Sequence, residues 1–167
     1  MISILFIYRE KQNRIKVILL EKQEDALQIE LAKQSDISIY LEIEKEIEKY
    51  AVIFYPELNA STFKNLLEIS PLSIISASRR IAEKVINHIY DKYFTIDKPF
   101  ALKIVILQKN NYITYEMSNL AHIVKAFGNK ASHPNAIIYT KKDALLVVST
   151  LLHLIEKLDF DNLIDIS

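Results

Sequence analysis

Cysteine and tryptophan are absent from this 167-residue chain, and glycine occurs once. Without cysteine there is no disulfide framework, no thiolate nucleophile and no cysteine-bound metal. That usage fits a cytoplasmic protein. A net charge is also missing, since Lys+Arg and Asp+Glu stand at 21 each, so no global field steers the chain to nucleic acid or anionic lipid. The apolar start, residues 2–8, is too short to span a membrane and lacks a basic n-region and a small-residue cleavage site. It reads as a core strand. No phosphate-binding glycine loop, no Gly-x-Ser-x-Gly elbow and no His-Glu-x-x-His spacing occurs, which leaves nucleotide hydrolysis, serine esterase chemistry and zinc hydrolysis without support.

What is present is enough for one domain with a real core: 50% of the residues are hydrophobic and 25% charged. The charge balance hides a local bias. From Lys98 to Lys142 there are seven lysines against one acid, Glu116, whereas the residues before Lys64 carry eight bases and eleven acids. The single glycine, Gly128, lies inside this basic stretch, in the run Lys125-Ala-Phe-Gly128-Asn129-Lys130-Ala131-Ser132-His133-Pro134. Average usage would place about a dozen glycines in such a chain. A sequence that keeps only one has a reason for it, either a left-handed backbone or a close approach.

Hydrophobic periodicity places the elements. Residues 2–8 and 14–21 are short β-branched runs, and residues 26–31 alternate, so residues 1–33 read as a small antiparallel sheet; a helix is the rival there, given the Gln, Glu and Lys content. Ile43, Ile47, Tyr50 or Ala51, and Phe54 mark a helix of about five turns that Pro56 stops. Ser70-Pro71 opens a second helix with Ser78, Ile81, Ala82, Val85, Ile89 and Tyr93 on its buried face and Arg79, Arg80, Glu83 and Asn87 towards the other. Residues 101–108 form a shorter helix broken at Asn110-Asn111. Thr114 caps a helix with Met117, Leu120, Ala121 and Val124 as its stripe, and Thr140 with Asp143 forms a capping box for a last helix. The expected fold is mainly α: a bundle of four to five helices over residues 35–167, behind a small β element in residues 1–34.

If the helix from Thr114 runs through the motif, Lys125, Asn129 and His133 fall at i, i+4 and i+8 on one face. Charge, amide and imidazole in a row suit a phosphate-bearing ligand. The structural alternative is that the histidine caps carbonyls and that Gly128, Ala131 and Ser132 let two helices touch. His88, His122 and His153 have no partner at helical spacing and read as ordinary surface or core residues, though His122 borders the motif face beside Lys125. The acidic tail from Asp159 to Asp165 lacks the glycine and glutamate of a calcium loop. Tyr112, Tyr115 and Tyr139 read as core residues, with base stacking as the alternative.

The run from Gly128 to Pro134, followed by the helix from Thr140, resembles the Gly-Asn-x-Ala-x-His signature of a HEPN-like domain family of uncharacterised function, found alone and at the N-terminus of type I restriction endonuclease motor subunits. Residues 42–55 are similar to its first helix, and Ser70-Pro71 through Lys84 to its second, so the resemblance covers roughly residues 36–158 and leaves out residues 1–33. It implies a HEPN-like bundle that works as a homodimer in a prokaryotic antiviral defence or restriction system. Many HEPN proteins are metal-independent ribonucleases with an arginine about four to six residues before a histidine, the first holding the phosphate and the second moving protons. Carried over, the histidine is His133 and the polar residue Asn129. The arginine position holds Phe127 or Gly128, so the motif's cation is missing; Lys125, or Arg79 or Arg80 from the second helix, would have to replace it, and Lys is a poorer clamp.

The expectation is therefore a non-catalytic, cytoplasmic RNA- or protein-binding module without cofactor or metal. Its site is Lys125, Asn129 and His133, with Arg79, Arg80, Gly128, Lys130 and Ser132 around them. A metal-independent endoribonuclease using His133 and a dimerisation element built on Gly128, Ala131 and Ser132 are the alternatives.

Overall fold

Asn59, Thr114 and Thr140 each stand immediately before a helix or one turn from its first donors, and each offers a side-chain oxygen to those donors. A computed structural model describes residues 27, 34, 36–131 and 138–164, and among them every regular element is helical. Residues 36–49 form α1, followed by α2 (Ala51–Phe54), α3 (Ala60–Ile69), α4 (Pro71–Asp91), α5 (Phe100–Lys109), α6 (Tyr115–Ala131) and α7 (Lys141–Phe160). The chain divides into two compact units, Met1–Leu41 and Glu42–Ser167, and the second carries the bundle. The sheet expected over residues 1–33 lies outside the described residues apart from Leu27, which is helical.

In the second unit, α4 is the central helix and packs against α6, α7, α5 and α3, while α6 and α7 pack on each other. Its buried positions run Ile74, Ile75, Ile81, Ala82, Val85, Ile86 and Ile89, a wide stripe at three- and four-residue spacing that several neighbours can cover. α7 answers with Val147, Val148, Leu151, Leu154, Ile155 and Leu158, all with no exposed surface or nearly none. Burying a side chain of this size contributes roughly 1.5–3 kcal/mol before chain entropy is set against it.

The helix ends follow the local sequence. Thr140 and Asp143 make a full capping box at α7. The Met117 amide donates to Thr114 Oγ1 at 3.2 Å, opening α6. Pro71 sits at the start of α4, but Ser70 does not cap it with its side chain; its hydroxyl pairs with that of Ser73 at 2.8 Å. After α5, Asn111 takes a left-handed φ of 59°, a conformation that asparagine tolerates better than most residues.

Three expectations are corrected. The five-turn first helix is interrupted at Tyr50 (φ −103°, ψ 28°), so only one turn, α2, follows it. α3 was not anticipated, although Asn59 caps it by accepting from the Thr62 amide at 3.0 Å. Tyr93 lies beyond the end of α4 and is 46% exposed, with its ring stacked on Tyr112 at 3.8 Å instead of in the core. Among the described residues no helix is long and apolar enough to cross a membrane.

Candidate functional site

Gly128 stands in α6 with an ordinary helical backbone, since no glycine here has a positive φ. Its purpose is therefore close approach. A Cβ built at position 128 would lie 2.5 Å from Arg79 Cβ, 2.8 Å from Cγ and 2.5 Å from Cδ. No real side chain occupies such a space, so α4 and α6 meet here with the arginine stem pressed on bare backbone. Of the two second-helix arginines expected to stand in for the motif's missing cation, Arg79 is the one half-buried against Gly128. The glycine face that an assembly role would offer to a second copy is covered by Arg79 of the same chain.

The two candidate arginines separate cleanly. Arg80 is exposed and its Nε donates to Glu57 Oε2 at 2.5 Å. Successive helical residues diverge by about 100°, so a neighbour of Arg79 cannot share its direction. Only Arg79 is brought to the motif.

Lys125 and Asn129 are both half-buried on α6, one turn apart, and Lys130 is exposed. Among the described residues Lys125 enters no ion pair. Other lysines of the basic stretch are committed: Lys103 is buried against Asp97 at 2.5 Å and over the Tyr90 ring at 5.1 Å, and Lys141 pairs with Glu68. His122, half-buried one turn before Lys125, is held below its ordinary pKa by burial first and by the Lys125 charge second. Ser132 and His133 lie outside the described residues.

Tyr139, expected in the core or stacked on a base, is half-buried and has another task. Its hydroxyl donates to the Phe127 carbonyl at 3.5 Å, fastening the residue before the Thr140 cap of α7 to the motif helix. Burial and the nearby Asp143 charge raise its pKa. Tyr112 is engaged with Tyr93 and, edge-on, with Phe94 at 5.9 Å, while Tyr115 is 71% exposed.

The remaining polar features are at the other end of the bundle. Two open depressions of about 440 Å³ each meet at Thr114 and Asp161. The rise of α6 sets them roughly 20 Å from Gly128. Glu116 joins Lys157 at 3.0 Å there, which lowers its pKa, and His153 stands 3.6 Å from both Glu116 and Glu156. No group of three or more His, Asp or Glu among the described residues could hold a metal ion.

An all-helical bundle with a cationic and amide edge on one helix defines a small helical module. The chain belongs to the family described as a domain of unknown function (DUF4145), whose model matches residues 61–160, from the first turn of α3 to the end of α7. No curated protein and no solved structure matches the chain.

Proposed function

We propose that the chain is a HEPN-like RNA-binding module, serving a prokaryotic defence or restriction-type system in the cytoplasm, and that it binds without cutting. The observation that carries this reading is the shared edge of α6: Lys125 and Asn129 lie one turn apart, half-buried, and no described carboxylate neutralises the lysine. A cation that keeps its charge available beside an amide suits a phosphodiester, the amide giving direction and the ammonium attraction. His133, eight residues beyond Lys125 in the sequence, completes the set of residues the resemblance singles out. Binding of labelled single-stranded RNA by wild type, Lys125→Ala and His133→Ala tests it. Weaker binding in both, with helical content intact, is expected; unchanged affinity in both sinks the proposal, and the partner is then sought among proteins.

A second reading, a metal-independent ribonuclease, draws support from Arg79, which lies against Gly128 where the motif helix itself has no arginine. There His133 would move the proton of the attacking 2′-hydroxyl. Incubation with total cellular RNA decides between the two. Cleavage that survives EDTA and disappears in His133→Ala establishes the enzyme, and no cleavage by wild type leaves the binding module.

A further inference from the structure

The contact between Arg79 and Gly128 runs along the arginine from its root. Cβ, Cγ and Cδ all lie within 2.5–2.8 Å of the place a Cβ at 128 would take. A side chain touching only by its tip swings away from a new methyl group. One fitted from Cβ outward cannot, because its Cβ is fixed to α4. Arg79 Nε is enclosed as well, although the residue as a whole is only half-buried. Lys125 and Asn129 lie about 60° and 100° round α6 from Gly128, both on the same side of it. Arg80, drawn off to Glu57, has no part in this arrangement.

Resting on the RNA-binding reading above, we infer that Gly128 is a positioning residue: its missing side chain is the channel by which α4 delivers the Arg79 guanidinium to the Lys125–Asn129 edge, so that one RNA phosphate is held by a cation from each of two helices. Arginine fits the part, since its planar fork grips a phosphate through two hydrogen bonds where lysine acts as a point charge. A stem already enclosed by α6 also loses less rotamer freedom when the phosphate arrives.

The probe is a fluorescein-labelled single-stranded oligouridylate, followed by anisotropy over a series of salt concentrations. The proteins are wild type, Arg79→Gln, Arg79→Lys, Gly128→Ala, Lys125→Gln and the double variant Arg79→Gln/Gly128→Ala. Arg79→Gln is expected to weaken binding about tenfold or more. It should also lower the salt slope by about one. Gly128→Ala should reproduce that loss, and the double variant should bind no more weakly than Arg79→Gln alone, because both changes remove the same contact. Losses that add in the double variant overturn the positioning role. Wild-type affinity and slope in Arg79→Gln, with Lys125→Gln impaired, overturn the inference and leave the RNA-binding reading standing. A wild type that does not bind the oligonucleotide overturns both. If circular dichroism shows Gly128→Ala unfolded, Arg79→Lys keeps the question decidable: it should retain the salt slope while losing affinity, and full affinity would refute the need for the arginine fork.

Discussion

Thr140 and Asp143 bind each other reciprocally at the start of α7: the Asp143 amide donates to Thr140 Oγ1 at 3.3 Å, and the Thr140 amide donates to Asp143 Oδ2 at 2.7 Å. α7 is the helix that closes the core over α4 and α6, so its first turn bears on the whole bundle.

Thr140→Ala removes the cap and is expected to destabilise the protein by about 1 kcal/mol. Denaturant melts measure this. The same box gives an acid dependence, because the Thr140 amide and hydroxyl hold Asp143 below its ordinary pKa of 3.8. A carboxylate lowered in the folded state stabilises fully above the unfolded value, and the contribution is lost as pH falls through the folded one. Asp143→Asn should therefore flatten the acid limb of the stability curve below that value. An unaltered limb would show that the box does not form.

His122 has the same proton preference as Asp143, from a different cause. Burial, then Lys125, holds it below its ordinary 6.5, so the unfolded chain binds its proton more readily than the folded one. Stability from the neutral ring is present above that value and is lost as pH falls towards the folded pKa. His122→Gln should reduce the drop in melting temperature on moving from about pH 7 to about pH 5.5. An identical drop in wild type and variant would mean that the ring is not desolvated.

Lys103 is a buried cation whose partner, Asp97, lies almost wholly in solvent. Removing the exposed member should do the greater harm, since it leaves an uncompensated charge inside. Asp97→Asn is expected to lower the melting temperature, and Lys103→Met to restore it in the double variant. If Asp97→Asn melts like wild type, the Tyr90 ring and the surrounding solvent suffice for the ammonium.

Gly128→Leu tests whether the notch is internal. Leucine would be forced into the Arg79 stem, and overpacking of this kind is expected to destabilise by about 1–3 kcal/mol or more. Sedimentation and melts on the same samples distinguish the roles. A lower melting temperature with unchanged mass fits packing within one chain, whereas dissociation at unchanged stability would return the glycine to an interface between copies.

The helix ends were the most legible part of the sequence. Thr114, the Thr140–Asp143 box and the Asn110-Asn111 break act over three or four residues, so the local chain states them in full. α3 escaped because its buried residues within Ala60–Ile69 are only Phe63 and Leu67, too few to impose a period, and its signal was the single cap at Asn59. The break at Tyr50 escaped for another reason: the residue is fully buried and its hydroxyl reaches Asp159 across 109 positions, a tertiary demand invisible in the local pattern. At the candidate site, close approach was one of the two uses the sequence left open for the lone glycine, but its partner did not follow from spacing. Arg79 lies 49 positions earlier, and the sequence offers it and Arg80 alike, because a helical wheel shows where a residue points and not which neighbour has left room for it.

The fit of Arg79 to Gly128 also limits how this sequence can drift. Position 128 cannot gain even a methyl group while an arginine stem fills the space beside it, and position 79 can shorten freely only if something else fills the gap. The two sites form one evolutionary character. A family member with alanine or serine in place of Gly128 should carry glycine in place of Arg79 or hold α4 and α6 further apart, since even a bare Cβ at position 79 would lie 2.5 Å away, and one that keeps the arginine should keep the glycine.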